Sequence, residues 1–348
     1  MLMVLLMGAA IWGIGLAMKA PVRDRLIMLG VLLAGVLAIQ LILPDGHPLR
    51  EATGSEPEFW VLVAGLGALV WGYRALLRRL RSRAQPQAPA APAAPGGPFT
   101  DDELSRYARH IVLRELGGPG QRKLKDATVL VIGAGGLGAP VLHYLAAAGL
   151  GTIGVIDDDV VAASNLQRQV IHGVSTLGMP KVFSAAERIA DLNPHVTIRP
   201  YHRRLTSDIA TDLFAEYDLV LDGSDNFDTR YLVNRACVAT KTPLVAAALT
   251  QWEGQISLYD PGSGGPCYEC VFATRPAPGL VPSCAEAGVI SPLPGVLGAM
   301  MALEAIKALT GAGETLRGRM LFYDALYADT RIMTLKKRPG CPACGGGA

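Results

Sequence analysis

Two hydrophobic regimes follow one another along this chain. Up to about residue 77 the apolar positions come in long runs, Leu2–Met18, Leu26–Leu43 and Phe59–Leu77. Each is close to the ~20 residues that a helix needs to cross a bilayer. Beyond residue 98 the runs shorten and alternate with amphipathic stretches. Thr128–Ile132, Ile153–Asp157, Val196–Pro200, Asp218–Asp222 and Pro243–Ala247 read as strands, and Gln255–Tyr259 as a strand of alternating pattern. Ala139–Ala148, Lys181–Leu192, a segment near Ser207–Tyr217, Asn226–Thr240 and Pro294–Leu309 read as helices, with Met320–Tyr323 and Arg331–Leu335 as late strands. Strand–helix alternation predicts the α/β class, a doubly wound and mainly parallel sheet with helices on both faces. The late strands lack intervening helices and predict an antiparallel extension. No internal repeat is visible.

The first apolar run could be a cleaved signal peptide, but it lacks a basic leader and a small-residue cleavage site, and two further runs follow. Three transmembrane helices are therefore expected within residues 1–83, the second weakened by Gln40. Loop charges orient them. Lys19, Arg23 and Arg25 lie between the first two runs, and Arg74, Arg78, Arg79, Arg81 and Arg83 at or beyond the end of the third. The loop 44–58 carries Asp45, Glu51, Glu56 and Glu58 against Arg50 alone. The positive-inside rule puts both basic regions in the cytoplasm. A multi-pass protein of the inner membrane is expected, with its N-terminus outside. Residues 84–98, AQPQAPAAPAAPGGP, form a Pro/Ala linker without apolar periodicity. Residues 99–348 suffice for one large cytoplasmic domain. The net charge of +2 gives no sign of a nucleic-acid partner.

The chemistry is densest from Gly133 to Lys181. Gly133, Gly135 and Gly138, within GAGGLG, stand between a strand and a helix, where backbone N–H groups and a helix N-terminus bind phosphate. Asp157 follows at a spacing suited to a ribose hydroxyl. This combination indicates a nucleotide without saying which, and a dehydrogenase is the main rival; a turn serving only tight packing is the blander alternative. The run Ser164-Asn165-Leu166-Gln167-Arg168, followed by Lys181, adds cations where a triphosphate needs neutralising, which favours ATP over NAD. Asp222-Gly223-Ser224-Asp225-Asn226 ends a strand and opens a helix. Asp225 there can hold Mg²⁺ against phosphate, or Ser224 or Asp225 can simply cap the helix.

Four of the six cysteines form two CxxC pairs, Cys267/Cys270 and Cys341/Cys344. Two such pairs complete a tetrahedral zinc site with no open position, hence a structural one. Redox dithiols or disulfides are the alternative, disfavoured in the cytoplasm. Cys237, in an apolar helix, is expected in the core. Cys284, in PSCAEAG, is either a reactive thiol or a spectator.

RYARHIVL at Arg106–Leu113, GAGGLG, DDDVVAASNLQRQ, GMPK, DGSDN, EGQ, both CxxC pairs and CAEAGV together resemble the MoeB/ThiF/HesA family across residues 99–346. The resemblance implies a Rossmann-like, ThiF-type fold and ATP-dependent adenylation of the C-terminal glycine of a small ubiquitin-like sulfur-carrier protein ending in Gly-Gly. By motif it places Gly136 under the nucleotide, Asp157 on the ribose, and Ser164, Asn165, Gln167, Arg168 and Lys181 on the triphosphate, with Leu166 inside the same run. Asp225 would bind Mg²⁺ with support from Asn226. Arg109 would reach the γ-phosphate from a neighbouring subunit, so a homodimer is implied. Activation of the small subunit of molybdopterin synthase is the favoured role, over a thiamine-type carrier or a non-catalytic membrane scaffold. No rhodanese domain follows Cys344, so sulfur would come from a separate donor. Residues 1–98 depart from the familiar soluble members.

Overall fold

The computed structural model describes residues 2–18, 20–54, 57–84, 98–275 and 287–345. Cys284, Lys19, Glu56 and nearly all of the Pro/Ala linker lie outside them. The chain divides into two compact units, Met1–Pro95 and Gly96–Ala348.

The first unit is helical: α1 (Leu2–Ala17), α2 (Val22–Ile42), a short α3 (Pro48–Thr53) and α4 (Pro57–Ala84). Its buried apolar centre is small, with Val4, Val36 and Trp60 at its heart. Many apolar side chains point outward instead, among them Leu6, Val31, Leu41, Leu62 and Leu69. Gln40, expected to weaken the second run, is buried and fully engaged at its amide nitrogen. Nε2 donates to Thr53 Oγ1 (2.8 Å), Arg50 O (3.1 Å) and Gly54 O (2.5 Å). Trp60 Nε1 donates to Thr53 O, so α3 links α2 to α4. Among the described residues of this unit, the helix from Asp24 to Ile42 is long and apolar enough to cross a membrane, whereas Met3–Ala17 and Glu58–Gly67 are shorter apolar helices. The run with the internal glutamine thus meets the length test best, and residues 50–54 supply its amide with acceptors.

The second unit opens with α5 (Asp101–Ile111) and α6 (Gly117–Asp126), which apolar patterning did not predict. Local capping explains α5: Thr100 Oγ1 accepts from Glu103 N, and Glu103 Oε2 accepts from Thr100 N (2.8 Å). Then β1 (Thr128–Ile132), α7 (Gly138–Ala147), β2 (Thr152–Ile156), α8 (Lys181–Leu192), β3 (Thr197–Tyr201), α9 (Ser207–Phe214), β4 (Leu219–Asp222), α10 (Phe227–Thr240) and β5 (Leu244–Thr250) alternate. After them come β6 (Glu253–Tyr259), a one-turn α11 (Tyr268–Val271), the long α12 (Pro292–Thr310), β7 (Arg319–Asp324) and β8 (Asp329–Thr334).

One eight-stranded sheet results, in the order β3-β2-β1-β4-β5-β6-β7-β8. The strands from β3 to β5 are parallel, and β6, β7 and β8 extend the sheet antiparallel. Successive strand residues face opposite layers. Val129 and Val131 enter the core shared with α7, α8 and α12, while Leu130 and Ile132 enter the core beneath α9 and α10. Apolar residues on both faces explain why β1 reads as an unbroken apolar run rather than an alternating one. Helix α12 is also apolar enough to span a bilayer, but half of it is buried as core. Cys237 is buried in α10, as its apolar neighbours implied.

Candidate functional site

Strand order reverses beside β1. The chain runs outward through β2 and β3, then returns to lay β4 on the other side of β1. Ligands of open α/β sheets bind at the carboxyl ends of strands at such a point. A cavity of about 870 Å³ opens there, lined among others by Gly133, Gly135, Gly136, Asp157, Arg168, Lys181, Asp225 and Asn226.

The glycine loop is shaped from both ends. Gly133 adopts φ = +89°, a conformation that favours glycine. At Gly138 a Cβ would lie 1.9 Å from Gly133 O, so only glycine lets α7 start against the loop. Asp157, at the end of β2, spends one lone pair of each oxygen on backbone: Oδ2 accepts from Ala134 N and Oδ1 from Asp159 N, both 2.8 Å. The carboxylate therefore orders the loop while keeping lone pairs for hydroxyl donors.

Lys181 opens α8 with its side chain 5% exposed, and Nζ donates to Asp159 Oδ2 at 2.7 Å. Arg168 follows the short 3₁₀ turn Ala163–Asn165 and is braced weakly by it, through Ser164 O (3.5 Å) and Asn165 Oδ1 (3.4 Å). Of the run from Ser164 to Arg168, Arg168 lines the cavity; Ser164 and Gln167 are exposed, and Asn165 and Leu166 half-buried. Gln167 O accepts a hydrogen bond from Ser291 Oγ. Arg109 is exposed on α5 and does not line this cavity within its own chain.

At the end of β4, Asp222 is buried and its Oδ1 accepts from Ser224 N (2.8 Å). Arg230, also buried, donates through Nη2 to Ser224 O (2.5 Å). The turn is thus held from beneath, and Asp225 is exposed at the cavity wall. Asn226, not Ser224 or Asp225, caps α10: its Oδ1 accepts from Thr229 N at 2.9 Å. Asp225 is therefore not consumed by capping. Motif reading missed Arg203 and Arg204 on the loop after β3, the buried Arg230, and the aromatic side Tyr268, Phe272 and Phe322. The HRRL sequence was a signal for the first two; the aromatic residues come together only through the sheet.

Two polar atoms in this wall, Ser224 Oγ and Gln169 Oε1, are buried without a hydrogen-bond partner among the described residues. Buried polar groups of that kind are uncommon. With the cations and the glycine loop, they fit a polar, phosphate-bearing ligand.

Cys267, Cys270, Cys341 and Cys344 converge, all four sulfurs lying within 4.8 Å of one another. Cys267 Sγ is 3.8 Å from Cys270 and 3.6 Å from Cys341, and Cys270 is 3.4 Å from Cys344. These separations rule out disulfides, whose sulfurs lie about 2 Å apart. They match the edge of about 3.8 Å expected for tetrahedral thiolates at zinc–sulfur distances. Burial raises the Cys267 thiol. At Cys341 burial is outweighed by backbone hydrogen bonds from Cys344 and Ala343, which bring it down to about 7. A thiolate available near neutral pH suits a zinc ligand, and the donor set fits that ion.

The ThiF family model matches residues 107–343. The chain belongs to the ThiF family. A relative from Thermus thermophilus, a sulfur carrier protein adenylyltransferase, is 50% identical over 251 residues, 71% of this chain and 93% of that protein. The probable adenylyltransferase/sulfurtransferase MoeZ of Mycobacterium tuberculosis is 51% identical over 244 residues, covering 69% of this chain and 62% of MoeZ. Among solved structures, E. coli MccB with ATP aligns at a TM-score of 0.60 and 25% identity, over 72% of this chain and 77% of that one. In ThiF terms, the glycine loop and the β4 turn are the two lips of one crevice, and the cysteine cluster ties the C-terminal tail to α11.

Proposed function

We infer that this chain is an adenylyltransferase acting on a ubiquitin-like sulfur carrier. The observation that carries the reading is the convergence of the glycine loop, Asp157, Arg168, Lys181 and an uncommitted Asp225 around one cavity. Half-identity to a sulfur carrier adenylyltransferase supports it. In the reaction a carboxylate oxygen of the carrier's last glycine attacks the α-phosphorus of ATP. The bond to the β-phosphate oxygen breaks, pyrophosphate leaves with that electron pair, and an acyl-adenylate forms. Asp157 is placed to accept ribose hydroxyls. Arg168 and Lys181 neutralise charge that grows on the departing pyrophosphate, the usual source of rate in such sites. A magnesium ion held by Asp225 would supply further charge neutralisation.

Molybdopterin synthase's small subunit is the carrier we favour. Arg109, exposed on α5, suits donation to the crevice of a second copy, so the active unit is proposed to be a homodimer. The four thiolates are proposed to hold one structural zinc. The N-terminal unit is proposed to anchor the enzyme in the inner membrane with Gly96–Ala348 in the cytoplasm. Outward apolar side chains and the span of α2, 21 residues or about 32 Å of helix, support that placement. A reporter fused after Arg83 is expected to be active in cytoplasmic form alone.

Labelled ATP tests the reaction. Label at the α-phosphate is expected to appear on the carrier and label at the γ-phosphate in pyrophosphate. Release of inorganic phosphate with no label on any Gly-Gly carrier would overturn the reading.

A further inference from the structure

His172 lies in the loop between Arg168 and α8, was singled out by no motif, and is buried. Its ring sits between the two elements that line the phosphate end of the crevice. Nε2 is 2.9 Å from Ala134 O, in the middle of the glycine loop. Nδ1 is 2.9 Å from Ser184 Oγ on the first turn of α8, and that hydroxyl donates in turn to Thr176 Oγ1. A carbonyl can only accept, so Nε2 carries a proton and the imidazole donates to the loop.

Ala134 is therefore held from both sides: its N–H by Asp157 and its C=O by His172. Ser184 stands three residues after Lys181, on the same helical turn, and Lys181 lines the crevice. We propose that His172 is a positioning residue for adenylation, joining the glycine loop to the start of α8 and so fixing the spacing between the loop amides and Lys181. The charged groups that act on the ring are Lys181 on α8 and Asp157 at the end of β2. Burial, with Lys181, holds the imidazole below its ordinary pKa against the opposing pull of Ala134 and Asp157.

The role assigned to His172 rests on the adenylation reading, and its test separates the two. Glutamine can place an amide N–H where Nε2 stands, asparagine reaches only the Nδ1 position, and phenylalanine fills the space with no polar atom. Two measurements are made on the full chain. The first is carrier-dependent ATP–pyrophosphate exchange beside the Kd for ATP. The second is hydrogen exchange at the backbone amides of residues 134–137, which needs no carrier.

For His172→Phe and His172→Asn, kcat is expected to fall about tenfold, the scale of one lost hydrogen bond. The Kd for ATP should move less than threefold, because the ribose grip at Asp157 persists. Loop amides should exchange faster in both variants, and His172→Gln should restore both readouts. Ser184→Ala should speed loop exchange less than His172→Phe, because the bond to Ala134 remains. Equal loop protection in the wild type and all four variants, or a glutamine variant as impaired as phenylalanine, would overturn the assignment. Failure of the wild type to exchange pyrophosphate with any Gly-Gly carrier would overturn the adenylation reading instead, while loop protection would still decide the role of His172 in shaping the loop.

Discussion

The nucleotide crevice and the cysteine cluster both gather charged or ionisable side chains from distant parts of the chain, yet they are finished differently. In the cluster each sulfur lies within 4.8 Å of the others, and three of the four cysteines are buried. Nothing is left open for a substrate. In the crevice, Asp225 is exposed, Ser224 Oγ and Gln169 Oε1 are buried without partners, and Arg168 is held by contacts of 3.4–3.5 Å. A site that binds once can satisfy every group permanently. A site that turns over must leave groups under-satisfied until its substrate arrives, as interactions that strengthen in the transition state are the ones that raise rate.

If that contrast is right, the largest effect belongs to the crevice. Asp225→Ala should lower carrier-dependent pyrophosphate exchange by at least the ~10²–10³ typical of one lost transition-state contact. The fold should survive, because Asn226 rather than Asp225 caps α10. Near-normal exchange with unchanged melting would remove Asp225 from the reaction.

Cys341→Ser acts on the closed site. Metal content per chain should fall from one zinc, and the tail after β8 should become protease-sensitive, with a lower Tm because structural zinc contributes folding free energy. The amides of residues 134–137 should keep their protection. Full zinc in the variant, or two zinc ions in the wild type, would erase the distinction between the two sites.

Asp157→Ala should raise the KM for ATP about tenfold, with a smaller fall in kcat. Ribose contacts are made equally in ground and transition states. The smaller kcat effect follows from Ala134 N, which loses its acceptor. A change in kcat alone would place Asp157 in the chemical step rather than in binding.

The smallest effect lies outside both sites, at the start of α5. Burial opposes ionisation of Glu103, but Lys125 and Thr100 outweigh it and hold the carboxyl below its ordinary value. A depressed folded pKa gives stability that is present above the unfolded value, near 4.5, and is lost as pH falls through the folded one. Acid should therefore loosen α5 progressively below that range in the wild type, and much less in Glu103→Gln. Thr100→Ala should cost about 1 kcal/mol, measured by denaturant unfolding. Equal acid sensitivity in both proteins would mean that the ionised Glu103 carboxylate contributes nothing to holding α5.

Elements whose signal is local were legible in the chain. β1 and α8 begin and end where apolar patterning and the Asn193-Pro194 stop put them. The four cysteines were identifiable because thiolate pairs have few other uses. What sequence could not show is which groups already have partners. Lys181 meets Asp159 and Asn226 takes the cap, choices settled only in the folded chain. Gln40 is the same lesson in the helical unit: a polar residue in an apolar run looked like a defect until the loop 43–54 supplied its acceptors. α5 and α6 went unseen because both are short and mostly polar, with Tyr107 and Leu124 the large apolar side chains they bury.

The central claim is that the crevice joins ATP to the end of a carrier tail. It is tested most directly by ATP–pyrophosphate exchange with a carrier ending in Gly-Gly and with the same carrier lacking its final glycine. Exchange is predicted with the intact tail alone, because the terminal glycine carboxylate is the nucleophile and must reach the α-phosphorus. Equal exchange with the shortened carrier, or with no carrier at all, would contradict the account.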